Sequence, residues 1–555
     1  GFAVKAGDTV IFDFNAGTAT VGGGSTPPAG GSELKTADEL LAWLANPTAD
    51  VTLGADIDLS GAAVAPAAEF TGSLDGNGKT ITVKDLATPL IPQTSGAVKN
   101  VTFAGSFAAA PTAEKLLLAP IGKSTGDIEN VVNKASVTVT GAAGEGGATV
   151  AGVVAEAYGA VKGCKNEGNI SVDASGKDTW TIAVAGVAGF VGAPLEGCEN
   201  SGEVSLVAGS PLGRTAGMTD ISMKYNPVSS VAGVVTYAVS DPTHEVTVKN
   251  CSNSGIISFT YDNLNASSAA VSRSAVCGVV ANTGGDVSNC HNTGAIYGTM
   301  VAADRSKAYS DVNIILHASG VAGIDYFVKK IKGSADQNET NITDCTNSGP
   351  IYVDSDMTKS NNAVGGVSAW PAAESASITV IKNCVNSGHI YVKGLLKIRA
   401  GGIAGGTNSI EDCKNTGNIE VENADAASVF GLINGFHSQT HTLKNCEAEG
   451  TIKSAVKVGG LGGICGGIGN AENTLCEGCK VNAAIESSAT KQCGLIVGVL
   501  NGSTKNITIG TADSPVKVAG SVNGVKATAA NFMELVQNAD NYKEGVHTFN
   551  VVFGE

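Results

Sequence analysis

The sequence specifies an all-β chain wound as a right-handed parallel β-helix solenoid, with about a dozen coils, three strands per coil and short capping helices at both ends. Three features carry that expectation: a recurring cysteine motif, an apolar-Gly run that precedes most copies of it, and a composition of small and β-branched residues. The 73 glycines, 43% hydrophobic residues and aromatic content of only 5% suit many short strands joined by tight turns better than long helices.

The motif appears first in full as VKGCKNEGNISV from Val161 and LEGCENSGEVSL from Leu195, then as VKNCSNSGIISF from Val248 and VSNCHNTGAIYG from Val287. It continues as ITDCTNSGPIYV from Ile342, IKNCVNSGHIYV from Ile381, IEDCKNTGNIEV from Ile410 and LKNCEAEGTIKS from Leu443. An earlier copy from Ile128 carries Val131 in place of Cys, and a degenerate late one centres on Cys479. The second element reads VAGVVA from Val150, VAGVAG from Val184, VAGVVT from Val231 and VCGVVA from Val276, and persists to CGLIVG from Cys493. Each repeat therefore supplies three short apolar runs separated by Gly, Asn and Ser, which is the content of one solenoid turn. The spacing varies from 29 residues between Cys384 and Cys413 to 55 between Cys290 and Cys345, so the excess must loop outward.

Coils of such a rod lie about 4.8 Å apart, so equivalent side chains sit over one another. Cys164, Cys198, Cys251, Cys290, Cys345, Cys384, Cys413 and Cys446 are then expected to form an inward ladder of reduced thiols that act as packing groups. The asparagines two residues later, Asn166 to Asn415, are expected to hydrogen-bond one another and the turn backbone. The glycine two positions further on is expected to accept a positive φ at the bend.

This pattern resembles the GLUG-type repeats of bacterial surface proteins, in which an apolar-Gly-Gly strand is followed by an Ile-x-Asn-Ser/Cys strand and then Gly-x-Val/Ile. The resemblance covers about residues 120 to 500 and departs from the family in preferring Cys to Ser, in its long inserts and in the loss of Asn at Ala448. It implies a β-helical, adhesin-like surface lipoprotein, located at the cell surface or outside the cell and tethered to the outer membrane.

The chain divides into residues 1–31, a strand segment and Gly/Pro/Ser linker; 32–120, a cap helix and opening coils; 121–520, repeats with long inserts; and 521–555, a C-terminal cap. TADELLAWLAN over 36–46 reads as a helix with a Thr36–Glu39 capping box that covers the first coil. ANFMELVQN from Ala530 reads as a second short helix, followed by a strand in VHTFNVVF from Val546. Asp75-Gly76-Asn77-Gly78 reads as a tight turn rather than a calcium loop, since it lacks the spaced carboxylates of a cage. The opening residues Gly1-Phe2-Ala3-Val4 lack a basic segment followed by an apolar core, so any secretion signal is expected to be absent from this chain.

A formal net charge of −16 with only four arginines argues against nucleic acid and anionic membranes as partners, and no apolar run is long enough to span a bilayer. No cofactor or metal is called for: Cys476 and Cys479 have the spacing of a zinc pair, but no second pair follows. The outward position after Ile runs Ser171, Ser205, Ser258, Tyr297, Tyr352, Tyr391, Glu420 and Lys453, and the position before Ile includes His389. No acid and base set converges there, as a polysaccharide lyase or glycoside hydrolase would need. The consecutive Tyr297, Tyr352 and Tyr391, with His389 beside them, are the candidate ligand-binding residues; phenol faces suit sugar rings, and aromatic ladders also simply strengthen a sheet. Inserts at 207–227, 298–312 and 354–362 are placed to wall that surface. The expectation is a monomeric, non-enzymatic extracellular protein that binds a glycan or a host or neighbouring-cell surface protein, with a β-helix lyase or hydrolase as the alternative.

Overall fold

In the computed structural model, strands too short to stand alone are held by neighbours one coil away. It describes residues 9–13, 18–22, 32–111, 114–141, 147–175, 182–209, 229–240, 245–261, 272–301, 314–325, 339–356, 362–370, 378–394, 397–406, 409–437, 442–469, 472–487, 492–500, 505–531 and 548–554. Nearly every pairing is parallel and in register with the next copy of the repeat: Ile170 opposes Val204, Val204 opposes Ile257, and Ile257 opposes Ile296. The chain is a parallel β-helix solenoid with one continuous apolar core running through its coils.

The three expected runs are present, and two of them bend. VAGVVA splits into Ala148–Ala151 and Val154–Ala157, which join different sheets of eleven and eight strands. The cysteine run splits into Val161–Lys162, in a sixteen-stranded sheet, and Lys165–Asn166, which continues with Ile170–Ala174 into a long fourth sheet. The first bend closes so tightly that the two sheets touch by backbone: a Cβ on Gly401 would lie 1.9 Å from the Ala404 carbonyl oxygen, and one on Gly462 1.8 Å from that of Cys465. Small residues are obligatory there because no side chain fits between two main chains.

The cysteine ladder lies inside as expected. All thirteen thiols are free and buried, with Val131 preceding the ladder and Cys479 extending it. The thiol of the next coil and burial together push Cys164 and Cys446 well above the ordinary thiol value. Burial pushes Cys277 and Cys465 up to about 12, and Cys493 up to about 11. Beside the thiols runs the amide ladder. Each Asn Nδ2 donates one hydrogen bond to the carbonyl two residues on and one to the Asn Oδ1 of the next coil, unbroken from Asn133 to Asn415 at 2.7–2.8 Å. At Ala448 the partner is missing, and Asn415 donates to the Glu449 carbonyl instead. Every amide proton is used, so the buried polar column is satisfied rather than costly.

The glycine after each asparagine corrects an expectation. Gly168, Gly202, Gly255 and Gly294 do not take a positive φ; a Cβ on any of them would lie 2.0 Å from a carbonyl oxygen of the preceding coil. Close stacking, not left-handed backbone, excludes a side chain. The left-handed residue is the one before each ladder cysteine or its Val131 equivalent: Asn130, Gly163, Gly197, Asn250, Asn289 and Asp344 all have φ between 50° and 65°. That position holds only Gly, Asn or Asp through the repeats, the residues that tolerate this region.

At the start, Ala37–Ala45 is helical, with the Thr36–Glu39 capping box formed. Leu40, Trp43 and Leu44 are buried, and the Trp43 ring meets Phe70 edge-on at 5.4 Å. Asp75-Gly76-Asn77-Gly78 is a tight turn, with Asn77 at φ 49° and the Asp75 carboxylate accepting the Asn77 N–H at 2.9 Å. Thr9–Asp13 pairs antiparallel with Thr18–Gly22. The expected second helix after Ala530 and most of the three inserts lie outside the described residues. Thr548–Phe549 and Val551–Phe553 add parallel strands to the last coil.

Candidate functional site

The long fourth sheet presents one outward column per alternate residue, because the side chains of a strand alternate between faces. Its register stacks Ser258, Tyr297, Tyr352, Tyr391, Glu420 and Lys453 in that order, as the repeat alignment requires. The three phenol rings lie 4.8 Å apart between centroids, with planes 6° and 8° from parallel. Tyr297 is 39% exposed, and the other two are half-buried.

Geometry changes what the tyrosines can offer. Each inner ring face is covered by the next ring, so the ladder shows solvent its ring edges and a row of hydroxyls; only the outermost faces, on Tyr297 and Tyr391, point along the column away from the stack. Desolvation of Tyr352, with the phenols of Tyr297 and Tyr391 on either side, pushes its hydroxyl above the ordinary value, so it remains a donor throughout the neutral range.

The rings floor an open groove of about 710 Å³ that also takes in Thr299, Asp354, Lys393, Glu420, Glu422 and Lys453. The sequence places Asp354 at this surface only as the start of a walling insert, whereas it stands on the strand itself, and Lys393 and Glu422 were missed as groove residues. They occupy the next outward column, two residues further along each strand, and the signal was the same period-two alternation carried one step on. Lys393 and Glu422 pair at 3.1 Å across adjacent coils. His389 does not line the groove: it is exposed beside Tyr391, with ring centroids 6.2 Å apart, and its Nδ1 accepts the Asn418 N–H at 3.3 Å, tying its coil to the next.

Among the described residues no cluster of three or more His, Cys, Asp or Glu is arranged to hold a metal ion, and no helix is long and apolar enough to cross a membrane. Cys476 and Cys479 are both buried, the second as a rung of the thiol ladder.

No known family profile matches the chain, and no curated protein matches it. Two solved structures resemble it weakly. One is an IgA1 protease, 11% identical over 66% of this chain, with a TM-score of 0.34; the chain spans only 22% of that protein's length. The other is a Bacteroides ovatus protein described as an immunoglobulin A1 protease, 14% identical over 66% of this chain and 76% of that one, with a TM-score of 0.28. Likeness at this level carries no functional argument.

Proposed function

We propose that the chain is a non-enzymatic surface protein, outside the cell, that binds a glycan along the tyrosine-floored groove. The observation that carries this reading is the in-register column of Tyr297, Tyr352 and Tyr391 under an open groove of about 710 Å³. Three phenol hydroxyls at coil spacing, backed by apolar ring edges, offer the alternation of hydrogen-bonding and CH surface that a sugar chain presents. A rigid rod held by continuous ladders pre-organises such a row, so little conformational entropy is lost on binding. The surface location and the tether to an outer membrane follow from the likeness to GLUG-type repeats and belong to the same proposal.

A second reading, a β-helix polysaccharide lyase or glycoside hydrolase, is favoured by one feature: Asp354, Glu420 and Glu422 share the groove with Lys393 and Lys453. Acid and base groups are thus within one cleft, although Lys393 and Glu422 are paired with each other. A glycan array combined with assays for new reducing ends and unsaturated products separates the two. Binding without turnover supports the first; new ends that vanish in a Glu420→Gln variant support the second. Replacing Tyr297, Tyr352 and Tyr391 together by Ser is expected to abolish glycan binding, and unchanged affinity overturns the proposed site.

A further inference from the structure

Charges on the outside of the rod follow a rule that stops at the tyrosines. In the sixteen-stranded sheet, Asp75, Lys99, Glu129, Lys162, Glu196 and Lys249 lie over one another with alternating sign. Alternation resumes at Lys382, Glu411, Lys444 and Glu477. Ion pairs bridge successive coils at both ends: Lys99–Asp75 at 3.3 Å, Lys382–Glu411 at 3.3 Å and Lys444–Glu477 at 3.2 Å. The residue after the cysteine forms a second such column, with Lys165–Glu199 at 2.9 Å on one side and Lys414–Glu447–Lys480 at 3.2 and 2.6 Å on the other.

Between these stretches neither column carries a Lys, Arg, Asp or Glu. Ser288 and Thr343 fill the first gap; Ser252, His291, Thr346 and Val385 fill the second. The second gap is four rungs, the number that Lys, Glu, Lys and Glu would occupy in phase between Glu199 and Lys414. These rungs thus give up the cross-strand ion pairing that the same architecture uses on either side, and keep a side-chain hydrogen bond between His291 and Thr346 at 2.9 Å.

These are the coils that carry the tyrosines, except that the first column regains its charge at Lys382 on the coil of Tyr391. Of six large apolar side chains that are exposed among the described residues, three lie here: Ile256 at 46%, Tyr297 at 39% and Val385 at 39%. A parallel row of exposed hydroxyls, Ser254, Thr293, Ser348 and Ser387, follows the second column by two residues, on the side toward the tyrosines. In the groove itself three carboxylates stand against two ammonium groups, so it has no excess of cations for a polyanion.

We infer that the binding surface extends from the tyrosine groove across this belt, whose two columns lack ion pairs and which exposes the Asp344 carboxylate, and selects a neutral, hydroxyl-rich polysaccharide over uronate-bearing or sulfated ones. The inference rests on the glycan reading above. Its physical basis is desolvation: a ladder of ion pairs under a ligand would have to shed water without gaining a partner, whereas hydroxyls exchange water for sugar hydroxyls and the apolar residues gain by being covered.

The test uses the full chain against a soluble neutral glucan, a neutral mannan, polygalacturonate and heparin. The wild type is expected to bind a neutral probe at least about tenfold more tightly than either acidic one. Thr346→Lys combined with Val385→Glu, which completes two rungs of the ladder, is expected to melt no lower than the wild type and to bind at least about tenfold more weakly. Ser348→Glu with Ser387→Lys, at exposed positions, gives the same readout if the first pair misfolds. Acidic polymers that bind as tightly as neutral ones overturn the inference. So does binding that the triple Tyr→Ser variant loses but both ladder variants keep, a result that leaves the tyrosine site standing. Silence of the wild type toward every polysaccharide overturns the glycan reading and this inference together.

Discussion

Coils 251–391 and the coils flanking them differ on one side only. Inward, the same thiols and amides continue through both, and Asn253 to Asn386 are bonded as Asn133 to Asn200 are. Outward, the flanking coils carry alternating Lys and Glu, while the middle coils carry hydroxyls, tyrosines and exposed aliphatic groups. An interior column is constrained at every rung, because each residue is the partner of two others. An exterior column is constrained only by what meets it, so a change of pattern there marks a change of what it meets.

Breaking the interior should cost most. Asn292→Leu strands the Oδ1 of Asn347 and an amide proton of Asn253 in the core and is expected to destabilise the rod by about 2–5 kcal/mol in denaturant melts. The same substitution at an exposed hydroxyl such as Ser348 should be nearly silent, and equal losses at the two sites would erase the contrast. Gly294→Ala places a Cβ 2.0 Å from the Gly255 carbonyl oxygen and 2.8 Å from the Asn253 amide nitrogen, and is expected to cost about 1–3 kcal/mol or more.

Proton linkage gives a third probe. Burial raises Cys277 and Cys465 to about 12 from an ordinary value of 9.0, so above pH 9 the unfolded chain releases protons that the folded chain keeps. Stability is therefore fully present below pH 9 and falls as pH rises toward 12, by about 1.4 kcal/mol per pH unit for each such thiol. Cys465→Val should flatten that slope measurably in urea melts at pH 8 and pH 10. An unchanged slope would show that this thiol is not held in its neutral form.

The exterior should respond least. Lys414→Ala removes contacts to Glu447 and Glu449 at 3.2 and 2.9 Å, yet these groups are partly solvated, so a change of under about 1 kcal/mol is expected, smaller still in high salt.

Much of the fold is legible in the chain alone. Cysteine at a fixed offset from Asn, and Asn from Gly, can recur seven times only if those positions stack, and the paired alternation then assigns Cys164 to the inside and Tyr297 to the outside without coordinates. The Thr36–Glu39 capping box was equally local: a four-residue span and a hydrogen-bond rule specify it. The role of Gly168 and its equivalents was misjudged because a repeated Gly reads the same whether it serves backbone torsion or clearance. Only the distance to the preceding coil separates the two, and that is a property of stacking.

Sequence by itself determined which side chains form each column and which columns face in, since period-two alternation and equal offsets are one-dimensional facts. Tertiary structure alone decided how the columns stand against each other. The tyrosines spend their inner faces on one another, Asp354, Lys393 and Glu422 join their groove, and the glycines of the first bend lie against backbone. The physical reason is that contacts between columns depend on the angle at which each coil bends and on the distance between sheets, and neither quantity is encoded in the spacing of residues along the chain.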